Sequence, residues 1–210
     1  MEILRYKRKH VTSSSIVAFV LLLVLMTQAH GDVDKCIKLY NEASYQQAFE
    51  PCNSAAENGH AQAQTILGEF YDDQGEVEKA RFWWEQASSS GYLPARNLLA
   101  QKHYYGGSVL GKEKGWQQSY SKAMSIWKED AFMGVATAQF MVGEMYLTGK
   151  GMEPNLAEGW AWMKLASNNG YKLADDLLYK FKHQITAAQH EAAVLKLKEY
   201  EKIIKGRNSE

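Results

Sequence analysis

Two cysteines, six histidines and one glycine-rich turn are the places where this 210-residue chain could do chemistry. Cys36 and Cys52 are its only cysteines. The helical string DKCIKLYNEA ends near Ser44 and a second helical stretch starts at Tyr45, so a bend at residue 44 leaves both cysteines eight residues from it. Equidistance across an antiparallel hairpin brings two Cα atoms within the roughly 4.4–6.8 Å that a disulfide requires. Closing that 15-residue loop stabilises by about 3 kcal/mol in the chain-entropy model. The alternative is a pair of buried free thiols, while a redox dithiol would use the CxxC spacing that is absent here.

The other chemical candidates fall short of complete constellations. GGSVLGKE, residues 106–113, approaches the phosphate-binding GxxxxGK[ST], but Glu113 stands where the magnesium-binding hydroxyl belongs. Tyr104 and Tyr105, just before it, belong to a helical pattern rather than to the strand such a loop needs. His183 and His190 are seven apart, HEAAV lacks the second histidine of HExxH, and no third ligand stands nearby in sequence, so both read as surface histidines. Asp72 with Asp73, and Asp175 with Asp176, are neighbours that point about 100° apart on a helix. There is no GxSxG serine and no cysteine–histidine pairing. No catalytic residue, metal or cofactor is expected, and an unrecognised hydrolase is the remaining enzymatic alternative.

The elements that would position any site begin after a leader. A basic head, RYKRKH at residues 5–10, precedes the apolar run IVAFVLLLVLM at 16–26 and the small-residue stretch TQAHG. This is the layout of a signal peptide over residues 1–31, cleaved after Ala29 or Gly31. An uncleaved anchor starting at Val11 is the alternative, weakened by the polar residues 12–15. The remaining 32–210 carries a net charge of about −3, which argues against nucleic acid or an anionic membrane as partner. Its 179 residues suffice for a core without a metal. A periplasmic or secreted location is expected, with no membrane insertion once the leader is cleaved.

A fixed register runs through this part. Gly59, Gly91, Gly134 and Gly170 each stand four residues before an alanine, namely Ala63, Ala95, Ala138 and Ala174. Eleven residues before the same glycines come Ala48, Ala80, Ala123 and Gly159. Glycine in that place suits the left-handed residue that ends one helix before the next. Small residues at fixed helical positions let neighbouring backbones approach. The first helix of each unit has its apolar stripe in Ala63, Leu67, Phe70 and Tyr71, or in Ala138, Val142, Met145 and Tyr146. The second has Ala80, Trp83, Trp84 and Ala87, or Gly159, Trp162, Met163 and Ala166. Trp83, Trp84, Trp127, Trp160 and Trp162 are therefore read as core between repeats. One unit cannot hide its stripe alone, so units of 32, 43 and 36 residues must stack. The fold expected is all-α, a right-handed α-solenoid of about five helix-turn-helix units.

These residues resemble the Sel1-like repeat family, relatives of the tetratricopeptide repeats. AQFMVGEMYLTGKGMEPNLAEGWAWMKLASNNGYKLA, residues 138–174, is similar to the family's AxxxLGxxY, GxG, AxxW and xAAxxG pattern. GHAQAQTILGEFYDDQG and KARFWWEQASSSGYLPA repeat it with a shorter turn. The opening YQQAFEPCNSAAENGHAQAQ resembles first repeats in which a proline, here Pro51, interrupts the second helix. FKHQITAAQHEAAVLKLKEYEKII reads as a capping pair with a solvated face. The resemblance implies binding of another protein, either as an exported scaffold or adaptor in the bacterial envelope or as an immunity protein neutralising a toxin such as a type VI phospholipase effector. Carrying the related register across puts Thr65, Glu69, Asn97, Gln101, Phe140, Glu144, Asp176 and Lys180 on the partner-binding face.

The third unit departs most, with His103 and Tyr104 near the usual tyrosine and a long turn, YYGGSVLGKEKGWQQSY. Trp116, Tyr120, Ala123 and Trp127 recur at spacings of four, three and four, which predicts one helical face. On that reading the helix overhangs its neighbour by about one turn, roughly 5 Å, and Trp116 and Tyr120 project as partner anchors. The alternative is that the turn folds back, with Val109 and Leu110 as cover.

Overall fold

The computed structural model describes residues 31–107 and 115–207. The leader up to residue 30, and the turn residues 108–114 that hold Val109, Leu110 and most of GGSVLGKE, lie outside the described residues. Helices follow one another throughout: α1 (described over 31–41), α2 (Tyr45–Glu57), α3 (Ala61–Asp73), α4 (Val77–Ser89), α5 (Leu93–Tyr105), α6 (Tyr120–Phe132), α7 (Ala136–Thr148), α8 (Leu156–Asn168), α9 (Lys172–Phe181) and α10 (Ala187–Arg207). Among the described residues the one extended pairing is an isolated bridge between Gly107 and Trp116.

The register glycines set these boundaries. Gly59, Gly91, Gly134 and Gly170 have φ of 85°, 81°, 87° and 85°, the left-handed conformation that stops a helix without a Cβ penalty. Two starts carry side-chain caps: the Ser119 hydroxyl accepts from the Lys122 N–H at 3.4 Å ahead of α6, and Asn155 Oδ1 accepts from the Glu158 N–H at 3.0 Å ahead of α8. Pro94 occupies the first turn of α5, where its missing N–H costs nothing.

The chain forms two compact units, Met1–Leu67 and Gly68–Glu210. In the first, the bend at residues 42–44 joins α1 to α2, and Cys36 and Cys52 are disulfide-bonded with their Cα atoms 4.7 Å apart. Both are fully buried, and Ala48, Ala55 and Ala56 of α2 are buried as well. Pro51 does not interrupt α2 as the resemblance implied; the helix runs through it, and Pro51 is itself buried. A proline inside a helix forfeits one backbone hydrogen bond, and here it does so without breaking the run.

In the second unit each helix packs on the next from α4 to α9, and α10 lies along α8 and touches α6. This nearest-neighbour stacking is an α-solenoid. The register positions line the interior: Ala80, Ala95, Ala123, Ala138 and Ala174 are buried, most of them completely. So are Trp84, Trp127 and Trp162. Trp83 and Trp160 are only half-buried, Trp160 resting its ring 4.9 Å from His190, so the expectation of core holds for three of the five tryptophans. α10 is fastened by Tyr200, whose ring stacks 4.4 Å from Trp162 and whose hydroxyl donates to Glu158. Burial, and that hydrogen bond to Glu158, raise the Tyr200 pKa far above the ordinary phenol, so it stays a neutral donor.

Two changes test this architecture. Ala80→Leu forces a larger side chain into a fully closed position and should cost about 1–3 kcal/mol, lowering the melting temperature by roughly 2–4 °C per kcal/mol in thermal unfolding. An unchanged melting temperature would remove Ala80 from the packing register. Replacing Cys36 and Cys52 together by alanine should lower stability by about 3 kcal/mol in denaturant unfolding.

Candidate functional site

In the second unit, the repeat register sets the first turn of α5 beside the first turn of α7, because both begin just after a register glycine. Leu93 and Pro94 come from α5, Thr137 and Ala138 from α7, and Val135 caps α7. Trp127 and Asp130 of α6 complete a groove of about 310 Å³, to which Asn97 of α5 also contributes. Its walls are mainly apolar.

Asn97 is oriented by a neighbour with one chemical option. The Trp127 indole N–H can only donate, and it meets Asn97 Oδ1 at 3.1 Å. The amide therefore leaves its NH2 as the end available to an occupant. At the other side Asp130 accepts from Arg96 Nε at 2.6 Å, and Arg96 Nη2 reaches Glu129 at 2.7 Å. Burial pushes the Asp130 carboxyl above the ordinary carboxylate range, with Arg96 pulling the other way. Burial also disfavours the Arg96 charge, but the hydrogen bonds to Glu129 and Asp130 outweigh it and raise its pKa. The pair stays ionised at neutral pH because the guanidinium fork is held by two carboxylates. The groove thus offers an apolar floor, an amide donor, the Thr137 hydroxyl and a carboxylate tied to a fixed cation.

Of the residues expected on the partner-binding face, Asn97 lines this groove. Gln101 is half-buried further along α5, and Glu144 half-buried on α7. Phe140 is partly buried against Tyr171, with ring centroids 4.8 Å apart. Asp176 and Lys180 stand exposed on α9. Thr65 is buried and its hydroxyl donates to the Ala61 carbonyl at 2.8 Å, while Glu69, in the other compact unit, is half-buried. Leu93, Val135, Thr137 and Asp130 were missed. The signal was available, since Leu93 and Val135 directly follow the register glycines by one or two residues, but nothing in the period says that the two turns would be neighbours.

The reading of Trp116 and Tyr120 as overhanging anchors is corrected. α6 begins at Tyr120, and residues 115–119 are an extended strap, so Trp116 is not on that helix. Trp116 is 3% exposed, stacked on Trp84 at 5.5 Å, and its indole N–H donates to Asp72 at 2.7 Å. The physical reason is the bridge to Gly107, which returns the chain over α4, the very neighbour it was expected to leave uncovered. Tyr120 is half-buried, edge-on to Tyr104 at 5.4 Å and against Gly151, where a Cβ would collide with the tyrosine.

Among the described residues no group of three or more His, Cys, Asp or Glu is placed to hold a metal ion, and no helix is long and apolar enough to cross a membrane. Comparison with known proteins agrees with the geometry. The Sel1 repeat model matches residues 61–92 and 136–171. The chain is 27% identical over 132 residues to the chitin synthase regulator SKT5 of Saccharomyces cerevisiae, covering 60% of this chain and 18% of that protein. It is 24% identical over 146 residues to an exopolysaccharide production negative regulator of Rhizobium leguminosarum bv. viciae, covering 64% and 54%. The chain thus spans about a fifth and about half of these relatives' lengths. Among solved structures it is similar to a protective antigen of uropathogenic Escherichia coli displaying an SLR fold, with TM-score 0.64 and 28% identity over 76% of this chain and 33% of that one. A Sel1 repeat protein from Oxalobacter formigenes shares the fold, with TM-score 0.57 and 22% identity over 70% and 59%. Alongside its register glycines and its consecutive helix pairs, this chain carries two Sel1 repeats, at residues 61–92 and 136–171.

Proposed function

We propose that this is an exported, non-catalytic repeat protein that acts as a scaffold or adaptor in the bacterial envelope and grips an extended polypeptide segment of its partner in the α5–α7 groove. The groove carries the reading. An apolar floor accepts one side chain, and the Asn97 NH2 donates to a backbone carbonyl beside it. The buried disulfide supports an oxidising compartment, where such bonds persist. The two curated relatives are both named as regulators, one of chitin synthase and one of exopolysaccharide production, which suits a protein that acts on other proteins.

Thr137 is exposed at the groove mouth, so Thr137→Arg should fill it without disturbing the core. The variant should melt as the parent does and lose capture of its partner in cross-linked pull-downs from envelope extracts. Trp116→Ala is the counterpart: it should lower stability by about 3–5 kcal/mol, as a buried aromatic does, without a selective loss of capture. Equal capture by Thr137→Arg would move the binding site elsewhere. Export has its own measurement. The intact mass of protein isolated from cells should correspond to a chain starting at His30 or Asp32, and a mass that retains the leader would overturn this part of the reading.

A further inference from the structure

Three buried side-chain nitrogens among the described residues have no hydrogen-bond partner, Arg81 Nε, His103 Nδ1 and Trp162 Nε1. The first two flank Trp116. The His103 ring meets the indole edge-on at 6.3 Å, and the Arg81 guanidinium lies 5.1 Å from its centroid. Around them the strap of residues 115–119 is tied to α5 and the residue pair that follows it. The Gly107 N–H donates to the Trp116 carbonyl at 3.0 Å, the Ser119 N–H to the His103 carbonyl at 2.6 Å, and Gln118 Nε2 to the Tyr104 carbonyl at 2.9 Å. The His103 ring makes a further hydrogen bond to the backbone of Gln117.

A neutral imidazole has one N–H and one lone pair. Here the N–H serves the Gln117 carbonyl and the lone pair is the buried, unpartnered Nδ1. Protonation would place a second N–H and a positive charge where no acceptor stands. The charges around the ring make that worse. Lys122 of α6 and Arg81 of α4 both act on it. Lys102 of α5 is paired with Asp72 of α3, whose other oxygen accepts from Trp116, and Glu78 is paired with Arg81 at 3.1 Å. The nearby carboxylates are already committed to other cations and donors.

We propose that residues 115–119 are an acid-released strap, held shut over Trp84 by neutral His103 and freed when that ring takes a proton. Burial, then Lys122 and Arg81, lower the His103 pKa while the strap is closed. In the lifted state the ring returns toward its ordinary value of about 6.5. The closed state is therefore fully favoured above about pH 6.5 and is lost as pH falls through that value toward the lower closed-state pKa. Lifting would uncover the stacked faces of Trp84 and Trp116, so acid would turn a sealed surface into an aromatic one.

Amide exchange and histidine titration by NMR on the folded protein read this directly. The His103 ring should titrate below about 6.5. Between about pH 7.5 and about pH 5, the protection factors of the Gly107 and Ser119 amides, corrected for intrinsic exchange, should fall roughly threefold or more, with amides in α8 unaffected. His103→Gln should remove that pH dependence. A ring titrating at or above about 6.5, or a loss of strap protection that persists in His103→Gln, overturns the proposal. Should that variant not fold, the wild-type data still decide: the amide change must follow the His103 titration curve, and a midpoint that does not coincide overturns it.

Discussion

Close approach of helix backbones at small residues is the constraint on which this structure rests. Ala80, Ala123 and Gly159 occupy the same place in successive second helices, and each is followed three or four residues later by a large ring, Trp84, Trp127 or Trp162. The small residue brings the next helix near and the large one fills the space beside it. At Gly68 a Cβ would collide with the Trp84 indole, and at Gly143 and Gly159 it would press on the facing carbonyl at 3.1–3.2 Å. Because interiors are packed as densely as organic crystals, a methyl group at any of these points has nowhere to go.

Rings packed this tightly bring polar atoms with them, and those atoms set the register between repeats. Trp127 is satisfied by Asn97 of the preceding helix, Trp116 by Asp72, and Tyr104 by Lys150, whose ammonium lies 2.7 Å from the phenol oxygen. Gln139 repeats in α7 what Gln64 does in α3, each donating to a carbonyl eight residues earlier across the turn, Ala131 at 3.0 Å and Ala56 at 3.1 Å. A helix that slipped by one residue would strand several such buried donors at once, each costing about 1–3 kcal/mol. The α5–α7 groove inherits that precision, since its amide donor is held by an indole that is itself core.

The fold was legible because its determinants are local. A glycine at positive φ and a small residue eleven places earlier recur whatever lies between, and the hairpin bend between Cys36 and Cys52 is written in their equal distance from it. What escaped the sequence depended on contacts far apart in the chain. The strap was misread because Trp116, Tyr120, Ala123 and Trp127 mimic a helical period that continues past the true start of α6. Only the pairing of Trp116 with Gly107, and its stack on Trp84 thirty-two residues earlier, separates the two conformations. Arg96 and Asp130 likewise stand thirty-four residues apart with no pattern to link them.

The Gly107–Trp116 bridge also bears on how this repeat came to be longer than its neighbours. A loop whose two ends are hydrogen-bonded to each other at its root presents the helices on either side with a fixed exit and a fixed entry. The number of residues between those ends is then free to drift, because closing a longer loop costs only about 0.6 kcal/mol for each doubling of its length. The connection between α5 and α6 is in this sense a sealed port, through which evolution or an engineer can thread a new surface without the stack registering the change.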